Sequence, residues 1–254
     1  MLRLGVITPL ANEEAGIDEW MRRVLAQLGE TDGVFCVLDN VSKDRTREKV
    51  AEWAQRDRRV TLVWAPENRC VVDAYFRGYR AAFDAGAEWI LEMDGGLSHL
   101  PEEIPAFIAA MQNGAEFAAG SRFIQGGGYS GQWSRYLVSR GGTALTNLML
   151  GTRMADMTSG FECFSRRAMA EVLARGVRSK AHFFQTEIRF MLHSWRWVEV
   201  PIHYTNPSKR LGSASVKEAF RILGQLRRES KQKKFGAAKK VFARGGAVRK
   251  CWGQ

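Results

Sequence analysis

Two apolar runs in this chain end abruptly on an acid. Trp89-Ile-Leu-Glu-Met93 stops at Asp94, and Gly95, Gly96, Ser98 and His99 follow before Pro101 opens a helix. Gly33-Val-Phe-Cys-Val-Leu38 stops at Asp39-Asn40. In open α/β sheets, ligands bind just beyond the carboxyl ends of the strands. An acid there, beside glycines that permit close approach, is placed to hold a metal–phosphate group. The same residues also read as a plain strand-to-helix turn in which Asp94 caps the Pro101 helix. Opposite charge could come from Arg122, just after a further apolar run, and from Arg135 and Arg140. Arg135, Ser139 and Gly142 fall near i, i+4, i+7 spacing and so share a helix face, where the glycine leaves room for a bound group. Taken singly, each arginine also reads as a solvated surface side chain.

Such residues need strands that end on one edge. Residues 4–10, 33–38, 60–64, 89–93 and 115–119 read as strands. Helices are expected over 17–28, from a cap at Ser42 or Asp44 to about Arg56, over 71–83 and over 101–111. This alternation with short links predicts an α/β fold, a doubly wound and mainly parallel sheet flanked by helices, with Asp39 and Asp94 on the same edge. The second half is less regular. Helices are expected over 132–150, 166–173 and 183–192, a strand over 197–202 and a mobile basic loop over 207–215. A last helix carries an apolar stripe of Val216, Phe220, Leu223 and Leu226 opposite Lys217, Arg221 and Arg228.

The 254 residues are 45% hydrophobic and 26% charged, as expected of one large α/β domain. The net charge of +11 is concentrated at the end: residues 217–254 carry twelve Lys/Arg and two Asp/Glu, leaving +1 for the rest. Such a tail is attracted to anionic lipid and nucleic acid alike. The apolar stretch near the N-terminus is too short and too soon acidic for a signal peptide, and no run approaches the ~18 apolar residues of a membrane span. Four separated cysteines and four histidines show no metal-ligand spacing; the cysteines suggest a reducing compartment. The absence of G-x-G-x-x-G after the first strand, and of a P-loop, weighs against dinucleotide oxidoreductases and kinases. No Ser-His-Asp or Cys-His constellation can be argued from chain order.

Taken together, the motifs resemble glycosyltransferase family 2, in the branch of dolichol-phosphate mannosyltransferases and bacterial polyprenyl-phosphate glycosyltransferases. The matching pieces span Val6 to about Ser215. They are Val6-Ile-Thr-Pro-Leu-Ala-Asn-Glu-Glu14, Val37-Leu-Asp-Asn-Val-Ser-Lys-Asp-Arg-Thr46 and Glu92-Met-Asp-Gly-Gly-Leu-Ser-His99. To these add Gly120-Ser-Arg122 with Gly126-Gly-Gly128, Trp133, Arg135, Ser139-Arg-Gly141 and Asp156-Met-Thr-Ser-Gly-Phe161. Two departures stand out. Asn40 replaces the usual second acid after Asp39, and the metal-binding D-x-D is Asp94-Gly-Gly96, without its second carboxylate. The final R-x-x-G-x-S-K survives only approximately around Arg210.

The resemblance implies a GT-A (nucleotide-diphospho-sugar transferase, Rossmann-like) domain over residues 1–215, followed by a basic amphipathic helix and tail over 216–254. It implies inverting transfer of a mannose- or glucose-type sugar from a GDP- or UDP-sugar to a polyprenyl (dolichyl or undecaprenyl) phosphate. Pro9, Asn12, Glu14, Asp39, Asp94 and Arg210 would bind the nucleotide-sugar. Asp94 would hold Mg²⁺ or Mn²⁺, with Ser98 and His99 as further candidate ligands, and Gly96→Asp would leave activity intact or strengthen metal affinity. Arg122, Arg135 and Ser139 would bind the acceptor phosphate, an anion near pH 7 that requires no strong general base. The chain would then be cytoplasmic and peripheral at the inner face of the membrane through its basic tail, without nucleic-acid binding. Three other readings stay open: a family member with a saccharide acceptor, using Asp156 or Glu187 as base, a donor-binding pseudoenzyme, and a nucleic-acid-binding protein.

Overall fold

A computed structural model describes residues 2–205 and 213–245, with residues 213 and 232–245 as backbone alone. The strands, in chain order, are β1 (Leu4–Pro9), β2 (Gly33–Leu38), β3 (Val60–Trp64), β4 (Trp89–Glu92), β5 (Phe117–Ser121), β6 (Gly128–Tyr129), β7 (Glu162–Ser165), β8 (Trp197–Pro201) and β9 (His203–Tyr204). Seven form the main sheet in the order β3-β2-β1-β4-β7-β5-β8, while β6 and β9 make a separate two-stranded pair. β1, β2, β4 and β5 run in one direction and β7 runs against both its neighbours. β1, β2 and β5 are covered on both faces, so their sequences are continuous apolar or small-residue runs rather than alternating ones.

Helices cover the sheet on both sides. On one face α1 (Ile17–Leu25) and α4 (Ile104–Gln112) bury Trp20, Met21 and Phe107 against Val6, Cys36 and Leu91. On the other, α3 (Val71–Asp84), α6 (Arg166–Arg175) and α7 (Phe183–Leu192) bury Tyr79, Met169 and Phe184 against Ile7, Ile90 and Phe164. α2 (Thr46–Arg56) packs beside α1, and α5 (Trp133–Leu150) with α8 (Ser213–Gly245) forms an outer layer. Ile222, Leu223 and Leu226 of α8 are buried with Leu150 and with Phe183 of α7, whereas Val216 and Phe220 of the same stripe are exposed.

The structure departs from the expected elements in physically informative ways. β5 begins at Phe117, two residues late, because Glu116 and Phe117 first bond to the carbonyl of Arg196 where β8 joins. β7 was not expected: it has four residues, its first three buried, so no alternation marks it. β6 and β9 are two residues each, below any detectable period. α2 starts at Thr46 with Arg45 at its N-cap and no side-chain cap, so neither Ser42 nor Asp44 caps it; Asp44 instead closes the preceding turn by accepting the Thr46 N–H at 3.1 Å and its hydroxyl at 2.5 Å. Cys36, Cys70 and Cys163 are free thiols. Among the described residues no helix is long and apolar enough to cross a membrane. Arg210 and the loop around it lie outside the described residues.

Candidate active site

Because β1, β2 and β4 are parallel, Asp39 and Asp94 emerge on the same sheet edge. Asp94 is tightly oriented. Its Oδ1 accepts the Tyr75 hydroxyl at 2.9 Å and its Oδ2 accepts Ser98 Oγ at 3.0 Å. Its carbonyl accepts Trp20 Nε1 at 3.1 Å, and its N–H donates to His99 Nδ1 at 3.1 Å. The loop that follows is equally constrained. A Cβ on Gly95 would stand 2.0 Å from Leu10 Cδ2, so any side chain there requires the buried Leu10 to shift. Leu97 has φ of 57°, a left-handed conformation rare for a branched side chain, and Thr205 pins it by bonding the carbonyls of Leu97 and Ser98.

His99 is fully buried, stacked on Phe161 and edge-on to Tyr204. Burial lowers its pKa from the ordinary value, so the ring is neutral at pH 7. With Nδ1 accepting the Asp94 N–H, the ring proton resides on Nε2. His99 is thereby a donor rather than a cation ligand. Nε2 lies 3.9 Å from Asp94 Oδ2 and has no hydrogen-bond partner among the described residues.

Arg122 follows β5 on the same edge and is itself buried. Its Nε and Nη2 bond both carboxylate oxygens of Asp156 at 2.7 and 2.9 Å, and Nη2 also reaches Thr158 Oγ1 at 2.6 Å. Burial works to raise the Asp156 carboxyl, but the Arg122 guanidinium overcomes it and holds the group below the usual range. Asp94, Arg122, Arg135 and Ser139 line one cavity of about 690 Å³. Gly142 shares this wall, as its helix spacing requires, so α5 presents Arg135, Ser139 and Gly142 together. Arg140 instead stacks over Phe123 at 4.9 Å. The cavity is also lined by apolar side chains, Val138 and Leu145 from α5 and Val216, Phe220 and Leu223 from α8.

Apart from Asp94, the described residues expected at the nucleotide-sugar do not line this cavity, and Asn12 and Glu14 lie against the loop that follows Asp39. Asp39 accepts the Val41 N–H at 2.9 Å and Asn68 Nδ2 at 3.3 Å. Asn12, left-handed with φ of 58°, accepts the Lys43 N–H at 2.8 Å, and Glu14 accepts the Arg45 N–H at 3.1 Å. These bonds staple the segment after Pro9 to the loop after β2. The two other base candidates are both occupied: Asp156 by Arg122, and Glu187 by the N–H groups of Arg178 and Ser179 at 3.0 and 2.9 Å.

Beneath the site, Glu92 and Glu162 face one another across the β4–β7 pair, both fully buried. Glu162 bonds Arg189 at 2.5 Å, while Glu92 bonds Gln185 at 2.6 Å and the Tyr79 hydroxyl. Burial, with the charge of Glu162 added, pushes Glu92 well above the usual carboxylate range, and burial pushes Glu162 up to about 7 despite Arg189. Gln185 connects this buried pair to the cavity wall.

Sequence reasoning assembled the cavity set but missed Tyr75, Thr158, Gln185 and Glu13. Only Glu13 carried a visible signal, as an acid just past a strand end. Both oxygens of its carboxylate lie against Gly96, 3.3 and 3.4 Å from where a Cβ would stand. Burial raises its pKa, and the charges of Asp44 and Asp94 add to the shift. Among the described residues no cluster of three or more His, Cys, Asp or Glu could hold a metal alone. A Mg²⁺-like cation is commonly held by one or two carboxylates, water and substrate phosphates, and the partly exposed Asp94 beside Glu13 fits that arrangement.

A doubly wound sheet with acids at one carboxyl edge and a cation-lined cavity beside them defines a nucleotide-sugar transferase of the GT-A class. The chain belongs to Glycosyl transferase family 2, whose profile matches residues 5–173. It is 28% identical over 225 residues to polyprenol monophosphomannose synthase of Mycolicibacterium smegmatis, covering 86% of this chain and 84% of that one. It is 27% identical over 219 residues to undecaprenyl-phosphate mannosyltransferase of Micrococcus luteus, covering 85% and 88%. In fold it is similar to glucosyl-3-phosphoglycerate synthase of Mycobacterium tuberculosis in complex with uridine diphosphate, with a TM-score of 0.68 at 15% identity over 89% of this chain and 80% of that one. The same enzyme has been solved with Mn²⁺ or Mg²⁺ and uridine diphosphate.

Proposed function

We propose that this enzyme transfers a hexose from a GDP- or UDP-sugar to a polyprenyl phosphate, with inversion at the anomeric carbon. The observation that carries this reading is the mixed lining of one cavity: Asp94, Arg122, Arg135 and Ser139 together with apolar side chains from α5 and α8. A phosphate on a long apolar chain matches both kinds of lining, and the named relatives act on such lipids. The engagement of Asp156 and Glu187 in structural bonds supports an acceptor that is already anionic.

In this reading the acceptor phosphate oxygen bonds to the anomeric carbon as the bond to the nucleoside diphosphate breaks. Arg135 and Ser139 position the phosphate, and Arg122 is held in orientation by Asp156. Pro9, Asn12, Glu14 and Asp39 frame the nucleoside, with Arg210 a further diphosphate contact. A divalent cation at Asp94 would neutralise charge developing on the leaving diphosphate. The reading extends to membrane contact, which the exposure of Val138, Val216 and Phe220 and the basic charge of residues 217–254 support. The test is transfer from GDP-mannose and UDP-glucose to undecaprenyl phosphate and to undecaprenol. Transfer to the phosphate alone is expected; equal use of the dephosphorylated lipid would favour a hydroxyl acceptor instead.

A further inference from the structure

We infer that Glu13 supplies the second carboxylate of the divalent-cation site, in place of a side chain at position 96. The inference rests on the reading of Asp94 as the cation and diphosphate contact. Gly96 removes one acid from the loop, yet the carboxylate of Glu13 lies across the space where that side chain would begin, at 3.3 and 3.4 Å from the missing Cβ. Its placement is built in. Asn12, immediately before it, takes the left-handed conformation, and the Glu13 N–H is fixed by Thr46 Oγ1 at 2.8 Å. Among the described residues the Glu13 carboxylate makes no hydrogen bond or ion pair, so it holds no structural contact of its own.

A second observation points to a ligand at the same place. The Nε2–H of His99 is fully buried, faces Asp94 Oδ2 at 3.9 Å and has no acceptor among the described residues. A buried donor without an acceptor is costly. An oxygen anion carried beside the cation, such as a diphosphate oxygen, supplies the missing partner. Asp94 and Glu13 then provide two carboxylates, and phosphate oxygens and water the remaining ligands of a hard divalent ion.

This geometry reverses the expectation for Gly96→Asp. A carboxylate introduced there meets that of Glu13 and gives no gain in metal affinity while Glu13 remains. The test is Mn²⁺ binding by the full chain, followed by electron paramagnetic resonance with the metal alone and with GDP or UDP added. Glu13→Gln is expected to weaken Mn²⁺ binding roughly tenfold, as loss of one charged ligand does, without shifting the thermal midpoint of the metal-free protein. Asp94→Asn is expected to weaken it at least as much, and Glu13→Ala combined with Gly96→Asp to recover most of the affinity. Wild-type Mn²⁺ affinity in Glu13→Gln with loss in Asp94→Asn would overturn the role of Glu13 and leave Asp94 standing. Unchanged affinity in both variants would overturn the Asp94 reading itself.

Discussion

Two arginines with the same proposed ligand differ sharply in how they can be tested. Arg122 neutralises the buried Asp156, so Arg122→Ala leaves an uncompensated charge and is expected to cost about 3–5 kcal/mol of stability. Denaturant unfolding checks this, and activity loss in that variant conflates folding with catalysis. Arg135 is the cleaner probe. A charge-assisted bond contributes roughly 1.5–3 kcal/mol, so Arg135→Ala is expected to lower transfer to undecaprenyl phosphate by about one to two orders of magnitude. Calorimetric donor affinity should stay unchanged, and loss of donor binding would contradict the acceptor role. The Glu92–Glu162 pair gives a pH signature. Both carboxyls have folded-state pKa values above the unfolded value near 4.5, so the folded state binds more protons. Their contribution is fully present below about 4.5; the part from Glu162 declines as pH rises through about 7, and the part from Glu92 as pH rises through its own raised value. Glu92→Gln keeps a neutral group against Gln185 and should flatten this decline. Urea unfolding of both proteins at pH 5 and pH 8 measures it, and identical pH slopes would refute the assignment.

Among the elements, legibility followed length and periodicity. β2, β3 and α7 match their expected bounds because each is a strong apolar run between clear breaks. The shared face of Arg135, Ser139 and Gly142 was readable from helical spacing alone. The insertion of β7 between β4 and β5 was not, because strand order and direction are set by tertiary pairing. Nor was Glu13 beside Gly96, a contact across 83 positions of sequence. The stripe on α8 was visible, but its division was not: Leu223 and Leu226 pack on α5 and α7, and Phe220 faces the cavity and solvent. Leu226→Ala is accordingly expected to destabilise α8 docking by about 2–5 kcal/mol, measured by protection of α8 amides in hydrogen exchange. Phe220→Ser should spare that protection and raise the KM for long-chain lipid phosphate. Unaltered kinetics with a C55 acceptor would dissociate Phe220 from the lipid path.

At the scale of the molecule, apolar exposure and charge concentrate in a few segments of the chain. Trp133, Leu137 and Val138 of α5 and Val216 and Phe220 of α8 are exposed, and residues 217–254 hold +10 of the net charge of +11. Each Lys or Arg near an anionic bilayer gains about 1 kcal/mol at best, and salt screens it. A chain ending at residue 231 is therefore expected to sediment less with phosphatidylglycerol vesicles than the full chain, with the difference shrinking at high salt. Equal sedimentation would assign binding to the α5 and α8 surface alone. One feature of the sheet also fixes a length. Asp94 leaves the edge after β4 and Arg122 after β5, with the single antiparallel strand β7 between them. Two strand spacings make about 10 Å. Under the proposed assignment of Asp94 to the leaving diphosphate and Arg122 to the attacking phosphate, the sheet would act as a caliper with the hexose ring as the gauge block between its jaws. Selection in such a device is by span: an acceptor that ends in a hydroxyl stops one phosphate short of the far jaw, however well its tail fits the groove.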